Sequence, residues 1–295
     1  MPPPDPEALA ARHVPGSGSI EIKRLRGGLM NDSYWVLRDG ETFAMRVASP
    51  DGAELGFDRA FEARALEVAA AADLAPAVAH CDARRGILIT RWAAGRRWSP
   101  ADACLPANIA RIARLLQRVH ALPLPLPARV MGPGMWVGHY AAAGERAAHA
   151  PHTVALRGAA AKRLAAAAAL PGVARVLCHS DLHILNLIDR GDSLLLLDWE
   201  YAHASDPLWD LAGWSANNDF DEEQKLNLLA SYTGRRPTRD ELSRMALLGW
   251  LYDYVCLLWS ELYLEGAARA AAPPEGVAAR AAQLAARLKA SSRAD

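Results

Sequence analysis

Three oxygen-bearing side chains punctuate the stretch "LCHSDLHILNLIDRGDSLLLLDWEYA", Leu177 to Ala202: Asp181, Asn186 and Asp198. Asn and Asp are hard oxygen ligands suited to magnesium, which takes few protein ligands and completes its shell with water and phosphate. Asp198 follows four leucines and precedes Trp199, where a core strand emerges. A carboxylate in that position needs a partner, and a cation is the economical one. His179 and His183 have the spacing of a helical zinc site, but Ser180 stands where that motif needs Glu, and the surroundings read as strand, loop, strand. Asp189 and Asp192, inside "DRGD", read as turn residues.

Placing those groups needs a hairpin, and "LNLI" and "SLLLLDW" around "DRGD" supply one. Upstream, "SIEIKRL", "SYWVL" and "TFAMRV" alternate as strands, with Asp39-Gly40 as a hairpin turn. Residues 19–47 are therefore expected to form a three-stranded antiparallel meander. "FDRAFEARALEVAAAADLAP" reads as a helix stopped at Pro76, followed by a hairpin from "AVAHCD" and "ILITRW". Beyond Trp92 the chain turns alanine-rich. "NIARIARLLQRVHAL" carries Ile109, Ile112, Leu115, Leu116 and Val119 at helical spacing. Further helices are expected over "ALRGAAAKRLAAAAAL", 208–217, 221–232, 239–264 and the C-terminal alanine-rich run. The domain plan is a flexible leader over 1–18, a small β-rich lobe over 19–92 and a mainly helical lobe over 93–295.

With 295 residues, 52% of them hydrophobic, the chain can bury a sizeable core. Its 33 basic and 33 acidic residues balance, which argues against a nucleic-acid or membrane-surface partner. The four cysteines form no CxxC pair, as fits a reducing compartment. No secretory signal is legible, and the most apolar run, "LLGWLYDYVCLLW", is too short to cross a bilayer. The expected location is the cytoplasm.

The motifs "HSDLHILN" and "LLLLDWEYA" together resemble the catalytic loop and metal-binding segment of the aminoglycoside phosphotransferase and choline kinase superfamily. The downstream "DPLWDLA", with Asp206, Pro207, Asp210, Leu211 and Ala212, resembles that superfamily's Asp-Pro-x-x-Asp-Leu-Ala. The resemblance spans residues 20–265 and implies an α+β, two-lobed protein-kinase-like fold with ATP or GTP and Mg2+ as cofactors. It implies that Asp181 accepts or orients the acceptor's hydroxyl proton, that Asn186 and Asp198 hold the metal, and that Asp210 bonds the catalytic loop. His179 is expected to pack beneath that loop. In the first lobe it implies a phosphate-cradling turn containing Gly27, Gly28 and Asn31. A cation on the third strand, Arg46, should pair with Glu62 on the following helix, and Glu67 is a second candidate. Adenine should lie near the backbone of Thr90, Arg91 and Trp92.

The acceptor is less legible. "DWEYA" looks more like choline, ethanolamine and thiamine kinases than antibiotic-resistance enzymes. Trp214, Trp250 and Trp259 could face a quaternary ammonium, with Asp253 or Glu261 nearby, although tryptophans at helical spacing are more often core. His183, Glu200 and Tyr201 are further candidates for the acceptor side. An aminoglycoside or sugar acceptor, and a catalytically silent nucleotide-binding relative, are the alternatives. The expected partners are a nucleotide and a small-molecule alcohol. Oligomeric state is not legible.

Overall fold

The computed structural model describes residues 5–25, 31–48, 56–145, 151–269 and 276–291. The chain divides into two compact units. The first comprises Met1–Trp98, Leu122–Ala128 and Leu185–Ala202; the second comprises Ser99–Ala121, Arg129–Ile184 and His203–Asp295.

The first unit is built on a five-stranded antiparallel sheet ordered β1-β2-β3-β5-β4. Its strands are β1 (Ile20–Arg24), β2 (Asn31–Arg38), β3 (Glu41–Ala48), β4 (Val78–Asp82) and β5 (Ile87–Arg91). At the β2–β3 turn Asp39 and Gly40 have φ of 50° and 76°, the two positive values a type I′ hairpin requires. The Asp39 carboxylate also accepts from the backbone of Ser17 and Gly18, which ties the chain before β1 to this turn. Helix α2 (Arg59–Ala71) starts at Asp58, whose side chain accepts from Phe61 N at 2.9 Å. It buries Phe61, Ala65, Leu66 and Ala69.

Two features of this unit differ from expectation. Residues 6–13 form a helix, α1 (Pro6–His13), rather than a flexible leader. Asp5 caps it, Pro6 opens it, and Leu9, Ala10 and Val14 join the core made by Val36, Phe43, Met45, Ile87 and Ile89. The hairpin of β7 (Leu187–Asp189) and β8 (Leu194–Leu196), expected within the helical lobe, belongs to the first unit. Leu196 N donates to Leu74 O just beyond α2, and Asp189 and Arg96 exchange backbone bonds. These pairings use up the backbone groups that a hairpin left in a helical layer would leave unsatisfied.

The second unit is helical: α3 (Pro100–Ala103), α4 (Pro106–His120), α5 (Pro133–Glu145), α6 (Pro151–Ala169), α7 (Leu208–Asn217), α8 (Glu222–Thr233), α9 (Arg239–Arg269) and α10 (Val277–Ser291). A two-stranded ladder of β6 (Val176–Cys178) and β9 (His203–Ser205) lies among them. The apolar stripe of α4 is buried as its spacing predicts, each such side chain contributing about 2 kcal/mol of transfer free energy. Gly213 lets α7 approach α9, since a Cβ there would lie 2.7 Å from the Tyr252 ring. Among the described residues no helix is long and apolar enough to cross a membrane.

Candidate active site

In the first unit the cationic side chain on β3 is Arg46. Arg46 pairs with Glu62 of α2, and its Nη1 lies 2.8 Å from Asp198 Oδ1. Burial pulls the Arg46 pKa down, but the carboxylates of Glu62, Asp198 and Glu200 outweigh it, and the guanidinium stays charged. Glu67 is absent from this network.

Asn186 closes a 3-10 turn (Ile184–Asn186) and its carbonyl accepts from Leu197 N at 2.8 Å. With Leu187 paired to Leu196, this register brings Asn186 and Asp198 to the same end of the β7–β8 hairpin. Asp198 has φ of 60°, in the left-handed region that a residue with a Cβ rarely adopts. Strain of order 1 kcal/mol at a side chain that faces charge is a recurrent mark of functional positions. Asn31, where β2 begins, joins the same cluster, its Nδ2 donating to Glu200 Oε2 at 2.9 Å.

Arg59 completes the cluster and has no counterpart in the sequence reading. Its Nη1 reaches Glu62 Oε2 and Glu200 Oε2, both at 2.9 Å, and its Nη2 reaches Asn31 Oδ1 at 3.0 Å. Glu200 is buried; burial and the nearby Asp198 raise its pKa to about 7 against the pull of Arg46, Arg59 and Asn31. It is thus part of the charge network rather than a group held apart for an acceptor. Tyr201 packs edge-on against Phe57, with centroids 4.9 Å apart. On β5 and just after it, the N–H groups of Arg91 and Trp92 are spent on Ala77 O and Thr42 O, while Thr90 is buried. Gly27 and Gly28 lie outside the described residues.

The second unit holds Asp181. The loop before it is shaped by Asp210 near the start of α7, which is 1% exposed. Asp210 Oδ2 accepts from His179 N at 2.9 Å, and Oδ1 accepts from Ser180 N at 2.8 Å. His120, the last residue of α4, places Nε2 3.1 Å from Asp210 Oδ2 and Nδ1 2.8 Å from the Tyr232 hydroxyl. Burial alone would raise the Asp210 pKa, but the hydrogen bond and charge of His120, followed by His179, hold it below the usual carboxylate range. Ser180 takes φ of 68°, so the loop bends sharply just before Asp181. Asp181 N donates to His179 Nδ1 at 3.3 Å, and His179 is fully buried. His183 Nε2 lies 3.5 Å from Asp181 Oδ2.

His120, Cys178 and Asp210 bring possible ligand atoms within 4.8 Å of one another. Both Asp210 oxygens already accept backbone N–H groups. Burial, with Asp210 and Asp206, pushes the Cys178 thiol well up, which favours the neutral form over the thiolate a metal needs. This is loop support, not a metal centre.

The candidate acceptor aromatics do not converge. Trp214 is fully buried in the core. Trp250 stacks on Tyr254 and carries the Arg163 guanidinium 4.2 Å over its ring. Trp259 stacks on Tyr263, and nine residues of α9 turn it about half a revolution away from Trp250. Asp253 is bound by Arg287 at 2.5 Å, and Glu261 caps the start of α6 through His152 N and Thr153 Oγ1.

The model of the phosphotransferase enzyme family matches residues 21–248. A choline/ethanolamine kinase family protein from Mesorhizobium loti superposes with a TM-score of 0.75 at 27% identity, covering 96% of this chain and 90% of that one. The choline kinase LicA from Streptococcus pneumoniae gives 0.79 at 20% identity over 98% of each chain. An ethanolamine kinase from Plasmodium vivax gives 0.76 at 17% identity, covering 96% of this chain and 86% of that one. No curated protein matches. The fold is kinase-like, an antiparallel sheet unit joined to a mainly helical one, and the chain belongs to the phosphotransferase enzyme family.

Proposed function

We propose that the protein transfers the terminal phosphoryl group of a nucleoside triphosphate, ATP or GTP, to the hydroxyl of a small organic acceptor, with Mg2+ as the metal. One observation carries this reading: a single guanidinium, Arg46, joins the α2 acid Glu62 to the hairpin carboxylate Asp198. A cation shared by a helix acid and the phosphates is what phosphoryl transfer needs, because catalysis there is mostly charge neutralisation and positioning.

The donor set at 186 and 198, one amide oxygen and one carboxylate at one hairpin end, fits a hard divalent ion. Magnesium held there would neutralise charge on the nucleotide phosphates. Arg46 orients and partly neutralises the phosphates. Asp181 receives the acceptor's hydroxyl proton, with His183 beside it. Asp210 and His120 keep the peptide before Asp181 in one shape, so that its carboxylate meets the hydroxyl at a defined angle.

The choline kinase and ethanolamine kinase structures similar to this chain support an acceptor of amino-alcohol size, of the choline, ethanolamine or thiamine kind. An aminoglycoside acceptor finds no support in the acidic run 219–224. Asp219 meets Arg287, Asp221 caps α8, and Glu222 pairs with Lys225. The four free cysteines and the balanced charge are in keeping with the cytoplasm.

Release of ADP or GDP from purified protein, measured with a panel of small hydroxyl compounds, tests the reading. Asp181→Asn should lower turnover about 100-fold or more while nucleotide affinity stays within a factor of two or so. Loss of affinity in step with turnover would place the proton acceptor elsewhere.

A further inference from the structure

The side chains that bond the Asp181 loop in the second unit have a chemistry that the choline-like expectation did not anticipate. They are organised by Asn217, at the end of α7. Its Nδ2 donates to Leu182 O, the carbonyl next after Asp181, at 2.9 Å, and to the Tyr252 hydroxyl at 3.0 Å. Its Oδ1 accepts from Arg280 Nη2 of α10 at 3.4 Å. One amide side chain therefore separates the Arg280 guanidinium from the catalytic loop. Burial, then Asp253, raises the Cys256 thiol to about 12; Asp181 adds to this and Arg280 opposes it, so both charges act on one side chain.

The charges in this region are unevenly matched. Arg287 takes both nearby carboxylates, Asp253 at 2.5 Å and Asp219 at 2.6 Å. Asp253, the acid expected to welcome a cationic acceptor, is thereby engaged by Arg287, and Arg280 acts on it more weakly from further off. The Arg280 guanidinium has no carboxylate within 4 Å among the described residues, although its charge is felt by Asp253; its side-chain hydrogen bond there is the long one to the neutral Asn217. It is half-buried, so its charge is less screened than a fully exposed one. Tyr252 lies beside it with a buried hydroxyl. That hydroxyl accepts from Asn217 and keeps its own proton, because burial, then nearby Cys256 and Asp181, hold its pKa well up. Arg280 and the Tyr252 hydroxyl give this region two donors where an aromatic cage would offer π faces.

From this juxtaposition of Arg280, Asn217 and Tyr252 with the Asp181 loop, we infer that the acceptor alcohol carries an anionic group, a carboxylate or a phosphate, received by Arg280. The inference rests on the phosphotransfer reading, keeps its small alcohol acceptor and departs from the choline and thiamine kind in the charge that the acceptor carries. Arg280 is a specificity residue in this account and takes no part in proton transfer. A guanidinium meeting a carboxylate forms charge-assisted, often paired hydrogen bonds, whereas an ammonium at the same place would meet like charge.

Paired probes that differ by one anionic group test it. Serine against ethanolamine and homoserine against 3-aminopropanol isolate a carboxylate; glycerol 3-phosphate against glycerol isolates a phosphate. Binding is measured by calorimetry on the full chain with magnesium and a non-hydrolysable ATP analogue, and ADP release is measured in parallel with ATP. At least one anionic member should bind about 10–100-fold tighter than its partner. Arg280→Gln should erase that preference while the neutral partner binds as before, and Arg280→Lys should keep part of it. If no anionic member outbinds its partner, or if Arg280→Gln weakens both members equally, the inference is overturned. A preference that persists without any ADP release would sustain Arg280 as an anion receptor and defeat the phosphotransfer reading instead.

Discussion

Asp198 and Asp210 stand twelve residues apart and are held in opposite ways. Asp210 is sealed, with two backbone N–H groups and an imidazole on its oxygens. Asp198 is about one-third exposed, sits at a backbone angle that costs energy, and meets a guanidinium shared with two other acids. Asp210 is bonded by two backbone N–H groups of the chain it shapes, so it fixes the form of a loop. Asp198 shares the Arg46 guanidinium with Glu62 and Glu200 and keeps part of its carboxylate exposed to solvent. Two carboxylates twelve residues apart thus differ in what surrounds them, and the proposed function gives one a scaffold role and the other a ligand-handling role.

The comparison breaks first at Asp210. Asp210→Ala leaves two buried N–H groups and His120 without their acceptor, and should destabilise the fold by about 3–5 kcal/mol in urea unfolding. Asp210→Asn keeps one oxygen and should cost less. If Asp210→Ala unfolds at the wild-type midpoint, Asp210 is no scaffold.

A third carboxylate, Asp253, tests how much a lone guanidinium partner can do in a buried place. Burial lifts its pKa from 3.8 to about 6, although Arg287 and Arg280 pull downward. The folded form therefore binds this proton more tightly than the unfolded chain does. Its contribution to stability is full below the ordinary pKa and is lost as pH rises through 6. Relative to Asp253→Asn, wild-type stability should fall by about 3 kcal/mol between pH 3.5 and pH 7. A difference that is flat across this window, or of opposite sign, would mean that Arg287 outweighs burial.

The smallest effect sharpens the scaffold side. Tyr232→Phe removes the hydroxyl 2.8 Å from His120 Nδ1, two steps from the loop. It should cost about 1 kcal/mol of stability and leave acceptor KM unchanged. A large rise in KM instead would show that Tyr232 reaches the acceptor.

Much of this was readable from local pattern. The β2–β3 hairpin follows from Asp39-Gly40 between alternating runs, and α4 from the spacing of its apolar residues. Arg46, Glu62, Asn186 and Asp198 could be picked out because their types and order match a known motif. Helix α5 was missed because its glycines, Gly134 and Gly138, argue against a helix, while the packing of buried Trp136 and Tyr140 argues for one. Helix α1 carried its signals, Asp5 and Pro6, inside a proline-rich run that reads as a tail. Arg59 and His120 had no local signature at all. Their partners are 141 and 90 residues away, and pairing over such separations is a property of the fold. The tryptophans pose the converse case: their number suggested a cage, whereas three-dimensional placement sends Trp250 and Trp259 to different sides of α9.

The division between Asp198 and Asp210 is tested most directly by Mn2+ binding in the presence of nucleotide, followed by electron paramagnetic resonance on wild type, Asp198→Asn and Asp210→Asn. The account predicts saturable binding in wild type, binding at least 10-fold weaker in Asp198→Asn with an unchanged melting temperature, and near-normal binding in folded Asp210→Asn. Undiminished Mn2+ affinity in Asp198→Asn would contradict it, because the ligand-handling carboxylate would then have to be a different one.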